Sequence, residues 1–254
     1  MVCSSGDLRS RKQGWLRDGE VTTRFDLSSP ESKGHTDVGK DAIMKMLVWL
    51  RRHSFCMALV LVASIVIACH AEDNTYQQEA ERLAVLLNWQ PGSVVADIGA
   101  GGGELTLIAS QCVGPTGRLY TTELDTKKLA LLEGLAAKQK NITAVQAGEA
   151  QTNLPPECCD SIFMRLVYHH LTKPAEIDAN LFRSLKPGGL LAVMDREPPP
   201  GSTKVPGVPD NRGGHGMPEK ILIEELTSTG FQVVKSIDDW PSKLYCVVFR
   251  KPSP

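Results

Sequence analysis

The sequence has almost no net charge. Its 28 Lys and Arg against 29 Asp and Glu leave −1 at pH 7. Such a balance gives no bulk attraction to a phosphate backbone, so nucleic acid is not an expected partner. There is no C-x-x-C pair among the seven cysteines (Cys3, Cys56, Cys69, Cys112, Cys158, Cys159 and Cys246). Neither a zinc framework nor a thioredoxin-like motif is therefore indicated, and no metal site is predicted. Cys158 and Cys159 are adjacent, which would strain a disulfide between them. Most of the cysteines read as small buried residues. The chain also lacks a convincing spanning segment, which needs about 20 apolar residues. Its candidate, Phe55–Ala68, has fourteen residues without a charge. What is present, 42% hydrophobic residues with 22 Gly and 16 Pro, suits one good-sized globular α/β domain plus extras.

Residues 1–43 are polar, charged and without an apolar period, and read as disordered. They also read as an extension upstream of the true start, because Met44 and Met46 stand just before the next feature. That feature is Arg51-Arg52-His53, the apolar run, then Cys69-His70-Ala71-Glu72-Asp73. Fourteen apolar residues behind a basic stretch suit a secretory signal. Val66-Ile67-Ala68-Cys69 resembles a bacterial lipobox, in which Cys69 would be lipidated. Residues 44–71 are thus expected to be a signal peptide or lipoprotein signal, with an uncleaved anchor or a buried helix as alternatives. If the signal is real, residues 72–254 lie in the periplasm or envelope, with membrane attachment through the N-terminal segment or a lipidated Cys69; otherwise they are cytoplasmic.

The segment Val94–Ser110, VVADIGAGGGELTLIAS, organises the domain. An apolar strand ends in Asp97, glycines follow at 99, 101, 102 and 103, and an apolar helical pattern comes next. Glycine lets a ligand approach the backbone, and a helix N-terminus offers free N–H groups. The dinucleotide fingerprint is G-x-G-x-x-G. Gly99 and Gly101 fit its first two positions, but Glu104 stands at the third. That carboxylate suits the helix dipole. It is a poor neighbour for a pyrophosphate and a tolerable one for a zwitterion with a cationic sulfur.

A helix over Asn74–Trp89 precedes this turn. Arg118–Thr122 reads as the second strand and ends in Glu123. A doubly wound fold places its ribose-binding carboxylate there, about 20 residues past the glycine turn. A helix over Thr126–Lys140, a strand Ile142–Gln146 and the segment Gly148-Glu149-Ala150 follow. Asp160–Leu166 reads as a buried strand leading into Tyr168-His169-His170, at the sheet's ligand edge. A helix over Pro174–Leu185, a turn at Lys186-Pro187-Gly188-Gly189 and a fifth strand Leu190–Met194 come next. Pro198–Met217 is a long Pro- and Gly-rich loop carrying Arg212 and His215. Loops of that length are usually functional or disordered. A helix from Pro218 to Thr229 and strands Phe231–Ile237 and Leu244–Arg250 close the chain.

The glycine turn, Glu123, the G-E-A, H-H-L and K-P-G-G segments together resemble the class I S-adenosylmethionine-dependent methyltransferases, in their small-molecule branch. The likeness covers about 70% of the chain, from Asp73 to Pro252. It implies a Rossmann-like, doubly wound α/β sheet of seven strands, mostly parallel with the last antiparallel, and helices on both faces. It implies S-adenosyl-L-methionine as cofactor and a small-molecule acceptor. Gly99, Ala100, Gly101 and Gly103 would line its methionine part, and Asp97 would reach toward the ammonium. Glu123 would hold the ribose and Glu149 the adenine amino group, with Leu124 and Ala150 flanking the ring.

The reaction is an in-line displacement on an activated methyl group, so alignment matters most. A base would help if the acceptor carries a proton. Tyr168, His169 and His215 are the catalytic candidates, with Arg212 nearby. His170 reads as structural, and His215 as a residue that a mobile loop could carry over the substrate. No N-P-P-Y or D-P-P-Y follows the fourth strand, which disfavours amino methylation of DNA bases. The alternative function is an exported, non-catalytic domain that binds a ligand or partner. A nicotinamide-dependent oxidoreductase is opposed by Glu104. The acceptor and the oligomeric state are not read from the sequence.

Overall fold

A computed structural model describes residues 75–253. The tail 1–43 and the expected export segment 44–71 lie outside the described residues. A helix α1 over 75–86 leads into β1 (Val94–Ile98), α2 (Glu104–Val113), β2 (Arg118–Glu123), α3 (Thr126–Lys138) and β3 (Ile142–Gln146). Then come β4 (Cys159–Arg165), a 3₁₀ turn at Tyr168–His170, α4 (Pro174–Ser184) and β5 (Leu185–Asp195). The chain closes with α5 (Glu219–Ser228), β6 (Gln232–Trp240) and β7 (Leu244–Arg250).

The strands form one sheet in the order β3-β2-β1-β4-β5-β7-β6. β1 pairs in parallel with β2 and β4, and β2–β3 and β4–β5 are also parallel. β7 runs antiparallel to both β5 and β6. This is the expected seven-strand doubly wound sheet. Strand order reverses between β1 and β4, and the crevice at that switch point is where such sheets bind ligands.

The central strands β1, β4, β5 and β7 bury both faces, so successive residues serve different cores. Ala96, Ile162 and Val193 pack with Leu181 and Leu222 of α4 and α5. Val95, Phe163 and Ala192 pack on the other face with Leu83, Leu105 and Ala109 of α1 and α2. Cys159 and Cys246 are buried free thiols, as expected of small core residues, and Cys158 is a half-buried one.

The K-P-G-G segment differs in detail from a plain turn. β5 starts at Leu185, paired with Cys159, and resumes pairing at Leu190 opposite Ser161. The four residues between bulge out, with Gly188 at φ 78 and its N–H donated to Lys251 of the β7 exit. β5 therefore runs five residues further toward its N-terminus than the apolar run alone suggests.

Candidate functional site

The glycine turn leaves β1 at Gly99, whose φ is 68. A Cβ there would come within 2.6 Å of Val167 Cγ2, in the segment that follows β4. Glycine thus allows the two neighbouring strand ends to close on each other. Ala100 N–H donates to the Thr122 carbonyl at 3.0 Å, which ties the turn to β2. Gly103 caps α2 in a left-handed conformation, with Glu104 in the first helical turn.

Glu123 ends β2 and is nearly buried. Its Oε2 accepts from Gly101 N–H at 3.0 Å. Its Oε1 accepts from Leu124 N–H at 2.8 Å and Asp125 N–H at 3.2 Å. Three backbone donors therefore hold the carboxylate in one orientation. A cavity of about 550 Å³ opens beside it. Gly99, Glu123, Leu124, Glu149 and His170 are on its wall, together with Ile98 and Val167. Asp97 is buried beneath the turn and accepts from Thr106 Oγ1 at 2.6 Å. Burial pushes its pKa up to about 7, with the Thr106 hydrogen bond opposing and the nearby Glu123 charge assisting. Gly101, Gly103 and Ala150 shape the turns around the cavity without forming its wall. The Ala150 carbonyl accepts from Asn180 at 3.3 Å. A larger groove of about 940 Å³ lies at the other edge of the sheet, between α1 and β6, and contains none of the candidate residues.

At the end of β4 the chain turns through Leu166 at φ 56, a left-handed conformation that a bulky side chain rarely adopts. The Leu166 N–H donates to the Met194 carbonyl at 2.8 Å, which holds the turn. The following residues point to different places. Tyr168 is fully buried, and its hydroxyl lies 2.9 Å from Asp178 Oδ2 and 3.0 Å from Glu225 Oε2. Burial and those two carboxylates push its pKa far up, so it stays a phenol. It lies off the cavity wall. The structure gives this catalytic candidate a packing position beneath the loop, because the phenol falls on the α4–α5 face of the sheet.

His169 is buried, and its Nδ1 lies 2.8 and 3.0 Å from the two oxygens of Asp195 at the end of β5. His170 is exposed and sits 4.1 Å from the His169 ring, centroid to centroid. His215 comes from the long loop, with ring centroids 6.4 Å from His169 and 5.9 Å from His170. The structure therefore gathers three imidazoles, of which His170 is on the cavity wall. Burial, then the His169 and His215 imidazoles, hold the His170 pKa below the usual histidine value.

The loop itself is anchored at Arg212, which is 1% exposed. Its guanidinium donates to both oxygens of Glu225 in α5, at 2.9 and 2.8 Å, and lies 5.5 Å from the Tyr168 ring centroid. Glu225 thus joins Arg212 to Tyr168, and Tyr168 to Asp178. Burial raises the Asp178 pKa to about 7, with the Tyr168 hydrogen bond opposing. Tyr245 Oη donates to the Met217 carbonyl at 2.7 Å and fixes the loop's far end.

Sequence reasoning missed Asp178, Asp195 and Glu225, and the cavity residues Arg165 and Thr152. Asp195 had a findable signal, an acidic residue ending a strand at the ligand edge. Arg165 also had one, a cation at the end of a buried strand. It donates to buried Glu79 of α1 at 2.6 Å. Glu225 had none, since it sits among other acidic residues of an ordinary surface helix.

The methyltransferase domain family matches residues 96–193, the stretch from β1 to β5 that carries the turn, Glu123, Glu149 and the first two histidines. Those residues are similar to a methyltransferase domain. The domain is 30% identical over 111 residues to the ubiquinone/menaquinone biosynthesis C-methyltransferase UbiE of Marinomonas sp., covering 42% of this chain and 44% of that one. It is 32% identical over 111 residues to UbiE of Erwinia tasmaniensis, with the same coverage. The chain thus spans under half the length of the curated relatives it matches. A SAM-dependent methyltransferase from Aquifex aeolicus superposes with a TM-score of 0.58 at 22% identity, over 68% of this chain and 89% of that one. A possible exported protein from Bordetella parapertussis superposes with a TM-score of 0.55 at 20% identity, over 70% and 67%. Both likenesses concern the fold.

Proposed function

We propose that the chain transfers a methyl group from S-adenosylmethionine to a small-molecule acceptor. The observation that carries this is Glu123, a carboxylate oriented by three backbone N–H groups at the wall of the switch-point cavity. Ribose hydroxyls need acceptors at fixed positions. A carboxylate has about four lone-pair sites, and three are used here. Accepting two hydroxyls therefore requires one backbone bond to release. Glu149 and Leu124 stand on the same wall, where the adenine would lie. Asp97, one layer deeper, reaches the methionine end only through the turn. The acceptor occupies the imidazole end, beside His170. His169 and His215 are the polar groups available there, while Tyr168 holds the loop in place.

Calorimetric titration of the full chain with S-adenosylhomocysteine tests the reading. Binding near micromolar is expected, and Glu123→Ala should weaken it roughly 100-fold, the loss of two hydrogen bonds to a charged group. Absence of binding by the wild-type chain would remove the enzyme reading and leave the ligand-binding or partner-binding domain.

We also infer that residues 44–71 direct export or membrane attachment. The basic residues before Phe55 and the acidic ones after Cys69 support this, as does a solved neighbour described as possibly exported. Among the described residues, no helix is long and apolar enough to cross a membrane. Intact-mass measurement of the cellular protein tests the inference: processing near Ala71 or lipidation of Cys69 is expected, and an unprocessed soluble chain starting at Met1 overturns it.

A further inference from the structure

We propose that His169, His170 and His215 form a binding site for a zinc ion, with Asp195 orienting His169. One ring nitrogen from each histidine lies within 4.8 Å of the other two. Three imidazole nitrogens around a tetrahedral zinc, each about 2.1 Å from the metal, sit about 3.4 Å apart. The present spacing is thus an open version of that set. The imidazole that must close is His215, whose ring centroid lies 6.4 and 5.9 Å from those of His169 and His170. His215 is exposed and flanked by Gly213, Gly214 and Gly216, and Gly214 has φ 106. Rotation of the exposed His215 side chain brings the third imidazole in, while Arg212 keeps the loop anchored to Glu225.

The surroundings are those of a metal ligand set rather than of three unrelated surface histidines. Metal-binding histidines commonly engage a carboxylate through the ring nitrogen that does not meet the metal. His169 does so with Asp195, which is fully buried and also accepts from Arg196 N–H at 2.8 Å. That arrangement commits Nδ1 and leaves Nε2 for the metal. Three imidazoles without a thiolate suit zinc and leave its fourth position open. His170 is also a cavity wall residue, so that position opens toward the cavity. On the methyl-transfer reading, an acceptor hydroxyl or thiol would bind there with its pKa lowered. The zinc site itself does not depend on that reading.

The test is zinc titration of the untagged full chain by calorimetry without methyl donor, paired with the visible spectrum of the cobalt(II) form. One equivalent bound, a tetrahedral cobalt spectrum and a zinc-dependent rise in Tm are expected. His170→Ala and His215→Ala alter exposed side chains, and each should weaken zinc binding more than roughly 10-fold with the zinc-free Tm unchanged. His215→Gln repeats the measurement with a polar side chain if the alanine variant unfolds. Asp195→Asn should weaken binding roughly 10-fold while keeping the stoichiometry. Wild-type chain that takes up no zinc at micromolar concentration overturns the proposal. So does zinc binding of unchanged affinity in the His170→Ala/His215→Ala double variant. Either result leaves S-adenosylhomocysteine binding, and with it the methyltransferase reading, untouched.

Discussion

Around Gly99 the chain is held through its own backbone N–H groups, whereas around His215 side chains supply the long-range anchors. At the first end, Ala100 bonds to Thr122, Gly101 to Glu123, and Gly103 caps α2. These contacts link neighbouring strands of one parallel unit. At the second end, Arg212 grips Glu225, Tyr168 touches Glu225 and Asp178, and Tyr245 holds Met217. A backbone-built turn tolerates little change in shape and suits a constant ligand. A loop pinned at a few points can vary between pins.

The sharpest way to break the contrast is Arg212→Ala. Removing one partner of a buried pair costs about 3–5 kcal/mol, because Glu225 loses its two-pronged donor and Tyr168 the cation over its ring. Denaturant unfolding should show that loss, and limited proteolysis should cut within 198–217. S-adenosylhomocysteine affinity should stay within roughly 3-fold, a prediction of the separate anchoring of the two ends. A loss below about 1 kcal/mol would mean the loop is held elsewhere.

Gly99→Ala attacks the other end. The added methyl would face Val167 at 2.6 Å, at a φ of 68. About 2 kcal/mol of stability should go. Cofactor-analogue binding should fall roughly 10-fold as the turn shifts. Wild-type behaviour in both measurements would remove the close approach as the reason for this glycine.

The two ends should share a pH dependence. Asp97 and Asp178 both have their pKa raised to about 7 by burial. Asp97 feels Glu123 and Glu104 raising it further, with Thr106 and Arg165 opposing. Between about pH 4 and about pH 7 the unfolded chain releases these protons while the folded one keeps them. Stability is therefore greatest in acid and falls as pH rises through that window, by up to about 1.4 kcal/mol per unit for each group. Unfolding at about pH 5 should take at least about 2 kcal/mol more than at about pH 7, and Asp97→Asn should shrink that difference. A flat profile would mean the carboxylates are ionised in the folded chain.

Tyr168→Phe has the smallest expected effect. Losing its hydroxyl should cost about 1 kcal/mol by chemical denaturation. A methyl-transfer rate loss beyond roughly 100-fold would place the phenol in the chemistry instead.

The same contrast explains what could be read in advance. Val94–Ile98, the glycine turn and Glu123 lie within thirty residues, and their job is local, so composition and spacing reveal it. The alternating strand and helix signals agree with the doubly wound class that the resemblance implies, since parallel neighbours need crossover helices, while the order β3-β2-β1-β4-β5-β7-β6 comes from the tertiary structure. The K-P-G-G bulge was misread as a simple turn because its partner, Lys251, is at the far end of the chain. Tyr168 looked available for catalysis because the chain places it beside two histidines. Only the turn through Leu166 decides that its ring goes under the loop while the His170 ring faces the cavity.

The glycine turn that identified the domain was encoded by itself: one left-handed bend after a buried strand, with an acidic residue at the next strand end. Local φ preferences and strand periodicity act over a few residues and survive without the rest of the fold. The histidine cluster was decided by the tertiary structure. His215 lies 46 and 45 residues beyond His169 and His170, counted from their positions in the chain. It meets them because the Arg212–Glu225 pair and the Met217–Tyr245 bond fold the loop back over the sheet edge. Contacts of that range depend on where helices pack, and no local pattern specifies them.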